Sequence, residues 1–396
     1  MDRPPTFRLS SRFAGITSSP VRDITSVIGR EDVISFAGGV PDPTLIAVED
    51  LRECFTHVLS TRPERALQYS TTPGEPELRE QLALRLSRQL PTTPDQIQVT
   101  NGSQEGIFLA AQTLADPGDV VLVEEPTYLA AIQSFAMSGA RLQPVSSDSC
   151  GILPDALETA IHEHHPAFVY LIPTFQNPTG RTMPLERRRA VAEVLVRTDT
   201  PLLEDDPYGE LRYEGAPVPP LAALEGMSGR TLLLNSASKT MAPGLRIGWI
   251  RAEGPILRTL EIAKQAVGLH GPVTDQLAVA HYLATRDLDA HIRTVVDVYR
   301  TRRDAMVRAL AGVLPAGAAV TRPEGGMFLW IDLRDDTDTA QHLGRAVDAG
   351  VAYVPGWPFH AGLPNRATMR LSYVTSSPAL IDQGVARLAS TLGWTH

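Results

Sequence analysis

The chain has 396 residues, 43% of them hydrophobic and 20% charged, a balance that predicts a globular protein of two or three lobes. Its 36 Lys and Arg stand against 45 Asp and Glu, a net charge of −9 that argues against nucleic acid or an anionic membrane as partner. Cys54 and Cys150 form neither a metal-ligand spacing nor a disulfide framework, the N-terminus lacks an apolar secretory segment, and no apolar run approaches a membrane span, so a cytoplasmic protein is expected.

Residues 1–45 read as an irregular arm rich in Arg, Ser and Pro, ending in Phe36-Ala-Gly-Gly-Val-Pro-Asp-Pro. Leu78, Leu82 and Leu86 share one face of a helix predicted over 76–90. Asn101-Gly-Ser-Gln-Glu-Gly opens a helix to about Leu114, and another is expected from Tyr128 to Met137. Between and beyond these run buried-type strands: Asp119-Val-Val-Leu-Val, Ala167-Phe-Val-Tyr-Leu-Ile-Pro, Pro201-Leu-Leu-Glu-Asp-Asp, Thr231-Leu-Leu-Leu-Asn and Arg246-Ile-Gly-Trp-Ile-Arg, with a charged helix over 185–196. Apolar strands alternating with helices predict an α/β fold, with a mostly parallel, doubly wound sheet covered on both faces. A charged helix over 287–313 bridges to an α+β segment, with strands at Phe328-Leu-Trp-Ile-Asp and Met369-Arg-Leu-Ser-Tyr and helices over 338–349 and 378–392. The expected division is an arm at 1–45, a large domain at 46–285 and a small C-terminal domain at 286–396.

Only two lysines occur, Lys239 and Lys264. Arginine can replace lysine as a surface charge but not as an amine nucleophile, because its guanidinium stays protonated. Lys239 is therefore a candidate for amine chemistry, although codon bias alone would also make lysine scarce. Its neighbours strengthen the case. Ligands of open α/β sheets bind where strands end, and the distinctive residues fall there: Asn101-Gly-Ser-Gln-Glu-Gly before a helix, Thr174-Phe-Gln-Asn-Pro-Thr-Gly, Asp205-Asp-Pro-Tyr, and Ser236-Ala-Ser-Lys. An amine, a carboxylate for a ring nitrogen, neutral donors for a phenolic oxygen and a helix N-terminus for a phosphate describe a pocket for pyridoxal phosphate.

These motifs, in this order and over nearly the whole chain from Ser35-Phe-Ala-Gly-Gly to Arg370-Leu-Ser-Tyr, resemble the fold-type-I class I/II aminotransferases, nearest to the 2-aminoadipate and kynurenine branch. The resemblance implies that Lys239 bonds the cofactor aldehyde and that Asp205, not Asp206, faces the pyridine nitrogen. Tyr208 and Asn177 would bind the 3′ oxygen. Ser103, Gln104, Ser236, Ser238 and Arg246 would hold the phosphate, and Tyr128 would stack on the ring. Arg370 would take the substrate α-carboxylate, with Asn177, Arg22 and Gly39 facing the substrate. Tyr69 would reach the phosphate of a neighbouring subunit, which implies a homodimer with shared sites. The implied reaction moves an amino group between an L-amino acid and a 2-oxo acid, with 2-oxoglutarate and glutamate as one pair. The composition suggests a high-GC bacterium and a role in specialised amino-acid biosynthesis.

Other motifs are weaker. Ser238-Lys239-Thr240 lacks the glycine of a P-loop, and His162-Glu-His-His has no zinc-helix spacing, so a solvated helix end and no metal are expected. Arg22 resembles an arginine that binds a second substrate carboxylate, while Asp23 and Asp42 offer an alternative contact to a cationic side chain. A decarboxylase, β-lyase or racemase would use the same cofactor scaffold. A regulatory module behind a DNA-binding domain is a further alternative, which the acidic balance and the missing basic helical segment disfavour.

Overall fold

The computed structural model describes Ser10, Phe13 and residues 32–394. Its main sheet has seven strands: β1 (Ile97–Asn101), β2 (Val120–Glu124), β3 (Arg141–Val145), β4 (Phe168–Leu171), β5 (Leu202–Asp205), β6 (Thr231–Ser236) and β7 (Ile247–Arg251). Their spatial order is β1-β7-β6-β5-β4-β2-β3, and only β7 runs antiparallel to its neighbours. Side chains alternate between two apolar layers. Val121, Val123, Phe168 and Tyr170 enter one cluster, whereas Val120, Leu122, Val169 and Leu171 enter the other. This period of two on strands buried on both faces is what helices on each side of a parallel sheet require.

The helices that position the site follow the strands: α1 (Ser103–Leu114) after β1, α2 (Leu129–Ser138) after β2, and α3 (Leu185–Arg197) before β5. A 24-residue helix, α4 (Leu288–Ala311), leads to a four-stranded antiparallel sheet that includes Phe328–Asp332 and Thr368–Ser372, covered by Thr339–Asp348 and Pro378–Leu392.

Three sequence expectations need correction. Two strands, β1 and β3, went unrecognised, and both lie at the sheet edges. The helix predicted to reach residue 90 is Pro76–Leu86, where Leu78 and Leu82 are buried. The arm is not irregular to its end. Ile34–Ser35 pairs in parallel with Val351–Ala352, and Ser372 N–H donates to Phe36 O at 2.7 Å, so the arm's end adds backbone pairing to the C-terminal segment.

Candidate active site

The carboxyl ends of β1, β4, β5 and β6 lie at one edge of the sheet. Because β7 is antiparallel, with Ile247 opposite Asn101 and Gly248 opposite Ser236, its amino end lies there too and brings Arg246 to the same place. Gly102 caps α1 with φ 72° and no side-chain cap, which leaves the first-turn N–H groups of the helix to be satisfied by something else. A Cβ at Gly248 would collide with the backbone of Gly102 and Ser103, so only glycine lets the two strand ends approach this closely. Arg246, itself left-handed at φ 53°, donates to Asn101 O at 2.8 Å and Pro243 O at 3.2 Å. Its guanidinium therefore braces the turn as well as facing it. Ser236 Oγ accepts from Ser238 N at 3.1 Å, and both serines are buried. Gln104 is tied to α2 through Ser134 Oγ at 2.9 Å, and Tyr128 Oη donates to Gln104 Oε1 at 3.4 Å. Helix N–H groups, serines and a guanidinium at one turn make an anion site.

Beside it, Lys239 Nζ donates to Gly39 O at 3.2 Å, which brings the arm's glycine into the site. Burial pushes this amine down to about 8, helped by Arg370 and Arg246 and opposed by Asp205. Lys264 is also pushed down to about 8, chiefly by burial, so basicity does not separate the two lysines. Geometry does: Lys264 is fully buried and its Nζ donates to the carbonyls of Thr72 and Val99.

Asp205, at the end of β5, is 2% exposed. Its Oδ2 accepts from Tyr170 Oη at 2.8 Å, while Oδ1 is buried with no protein partner. Burial raises this carboxyl to about 7, against the Tyr170 hydrogen bond and the charge of Lys239. Asn177 links two further residues: its Nδ2 donates to Tyr208 Oη at 3.4 Å, and its Oδ1 accepts from Arg370 Nη1 at 3.0 Å. Arg370 also donates to Ala37 O at 3.1 Å, yet its buried Nε has no partner. Its Cζ lies 4.1 Å from the Phe328 ring centroid and 5.1 Å from that of Phe359. Burial lowers it to about 10, so it remains a cation at neutral pH.

One expected member, Tyr69, shows no contact with these groups and is turned to the surface: it is 78% exposed, its ring edge-on to His270 at 5.7 Å. Arg22 and Asp23 lie outside the described residues. Asp42 is not available to a cationic substrate: it accepts from Thr44 N and Oγ1 at 2.9 and 2.7 Å, and pairs with Arg302 at 2.7 Å. His162 and His164 sit on the last turn of helix Pro154–His164 beside Glu158 and Glu163, and no group of three or more potential metal ligands occurs among the described residues.

Several residues around the site were not legible as such. Arg370 lies over the rings of both Phe328 and Phe359, and Tyr170 holds Asp205, although each reads in sequence as an ordinary core aromatic. Arg188 on α3 is fully buried and donates to Met183 O at 2.9 Å, Pro219 O at 2.9 Å and Pro173 O at 3.0 Å, clamping the loop that carries Asn177. Its only sequence signal is an arginine on the apolar face of a helix.

The residues present fit pyridoxal phosphate. The orphaned Asp205 Oδ1 is an acceptor for a ring N–H, the uncapped turn at Gly102 suits a phosphate, and Lys239 meets a single carbonyl at 3.2 Å where Lys264 is closed in by two.

Comparison with known proteins agrees. Residues 32–388 match the family model "Aminotransferase class I and II". The chain is 41% identical to aromatic-amino-acid aminotransferase 1 of Thermococcus litoralis, over 97% of this chain and 93% of that protein. It is 36% identical to the 2-aminoadipate transaminase of Thermus thermophilus, over 95% and 94% of the two chains. The crystal structure of Pyrococcus horikoshii kynurenine aminotransferase, with PMP, superposes with a TM-score of 0.92 at 38% identity, covering 97% and 96% of the chains. The chain belongs to the class I and II aminotransferases. It is an enzyme of the fold-type-I branch that includes the aminoadipate and kynurenine aminotransferases; its cofactor is pyridoxal phosphate and its chemistry is amino-group transfer.

Proposed function

We propose that the enzyme transfers the amino group of an L-amino acid to 2-oxoglutarate, with Lys239, Asp205, Tyr208, Asn177 and Arg370 as the working set. The observation that carries this reading is the placement of an amine of lowered basicity and an orphaned carboxylate oxygen in one buried site, with the Asn177–Arg370 pair beside them. When bound, pyridoxal phosphate supplies a carbonyl that takes up the amino group and a ring that accepts electron density from the substrate Cα.

The protein's part is binding, orientation and proton movement. Arg370, held by Asn177, Ala37 and two rings, offers a fixed fork to the α-carboxylate. Lys239 Nζ, at about 8, is neutral in about a tenth of molecules at pH 7, far more than an ordinary lysine, and can take the Cα proton and return it elsewhere. Asp205 Oδ1 receives the ring N–H, and Tyr208 with Asn177 binds the 3′ oxygen. Ser103, Gln104, Ser236, Ser238 and Arg246 surround the phosphate, and Tyr128 covers the ring.

The protein acts as a homodimer in this reading. Tyr69, exposed beside exposed Leu67 and Leu269, completes the partner's phosphate site and is covered by the partner. The segments 46–285 and 286–396 are its large and small domains, with the arm over the substrate. No described helix is long and apolar enough to cross a membrane; the free, unpaired Cys54 and Cys150 accord with a cytoplasmic location.

The test is the half-reaction. An L-amino acid added without acceptor should convert the bound cofactor stoichiometrically to pyridoxamine phosphate, and 2-oxoglutarate should restore it. Release of CO₂ or ammonia without that conversion would replace transfer with decarboxylation or elimination.

A further inference from the structure

Tyr170 sits on β4, opposite Leu203 of β5, and reaches past it to the carboxylate at the end of that strand. Its ring is fully buried and edge-on to Phe135, with centroids 5.3 Å apart at 74°, so the hydroxyl has one fixed direction. The phenol holds its proton to well above the ordinary tyrosine range, because of burial and the nearby Asp205 charge. An ionised carboxylate only accepts, so the tyrosine donates. Asp205 is left with one oxygen occupied by the protein and the other buried, bare and in a set orientation.

We propose that Tyr170 is a positioning residue of the cofactor site: its hydroxyl fixes the Asp205 carboxylate so that Oδ1 is kept for the ring nitrogen, and favours the ionised form of that carboxylate. This rests on the assignment of Asp205 above. Without the hydroxyl, a buried carboxylate loses its donor, rotates more freely and retains a proton of its own, so the ring N–H loses its charged acceptor.

The test uses ligands that form no bond to Lys239. Apoprotein is titrated with pyridoxamine phosphate and with its analogue that carries C–H in place of the ring nitrogen, in wild type, Tyr170→Phe and Phe135→Leu. Wild type should prefer the nitrogen-bearing ligand. Tyr170→Phe should weaken that ligand about tenfold and leave the analogue within about twofold. Phe135→Leu, which disturbs the packing of Tyr170 but not its hydroxyl, should leave the ratio of the two affinities unchanged. Nitrogen-15 NMR of the bound, ring-labelled ligand should also move toward the neutral pyridine value in Tyr170→Phe. Equal loss for both ligands, or no loss for either, would overturn the role of Tyr170. A wild type that binds both ligands equally would overturn the Asp205 pairing itself, and one that binds neither would overturn the cofactor site.

Discussion

Asp205→Asn should change how the stability of the apoprotein depends on pH. The carboxyl titrates near 3.8 when unfolded and at about 7 in the folded site, where burial outweighs the Tyr170 hydrogen bond and the Lys239 charge. A raised folded value means the folded state binds the extra proton. The stability that Asp205 contributes is therefore complete below about pH 4 and is lost as pH rises through 7. From pH 5 upward the loss begins at close to 1.4 kcal/mol per pH unit, tapers as pH nears 7, and comes to roughly 2 to 3 kcal/mol by pH 8. Asparagine keeps the shape and does not titrate. Any penalty from its buried amide is independent of pH and cancels when one pH is compared with another. Glu124, also raised to about 7 chiefly by burial, titrates in both proteins and cancels; Asp206, raised to about 7 chiefly by its own burial, titrates in both too and loses only its smallest contribution, the Asp205 charge. Urea unfolding of both apoproteins at one protomer concentration should therefore show the variant gaining roughly 2 to 3 kcal/mol relative to wild type between pH 5 and 8. The same substitution should weaken the binding of pyridoxamine phosphate. A stability difference that stays flat over this range would refute the reading of Asp205 as a carboxylate held unsatisfied for a ligand.

In the apoprotein, an amine-acylating reagent should modify Lys239 with an apparent pKa of about 8 and spare Lys264, whose Nζ is closed off by two carbonyls; peptide mapping against pH checks both. Arg370→Lys keeps the charge but loses the fork and the ring stacking, so kcat/KM for every amino donor should fall about 100-fold, while cofactor affinity changes little. Arg22→Gln should lower kcat/KM for glutamate and 2-aminoadipate about tenfold and leave aromatic donors unchanged, as a donor panel against a common acceptor would show. Tyr69→Phe should raise the cofactor dissociation constant several-fold, measured by equilibrium dialysis.

Much of this site was legible because its chemistry sits at strand ends. Asp205 ends β5, Lys239, Tyr208 and Asn177 follow β6, β5 and β4, and apolar runs such as Thr231-Leu-Leu-Leu mark such strands clearly. The missed strands are edge strands. Ile97-Gln-Val-Thr-Asn mixes buried polar residues with apolar ones, and Arg141-Leu-Gln-Pro-Val carries a proline, which an edge tolerates and a central strand does not. The reversed direction of β7 was also hidden, since direction depends on pairing rather than on composition. Asp42 looked free for a substrate because its partner, Arg302, is 260 positions away in the chain. Tyr170 looked like a core aromatic because its ring is one; only the neighbouring strand shows where its hydroxyl points.

One amine, that of Lys239, should hold the cofactor. Holoenzyme reduced with borohydride and digested should yield a single pyridoxyl-bearing peptide, the one that contains Lys239. A label on Lys264, or holoenzyme that reduction leaves unlabelled, would contradict it.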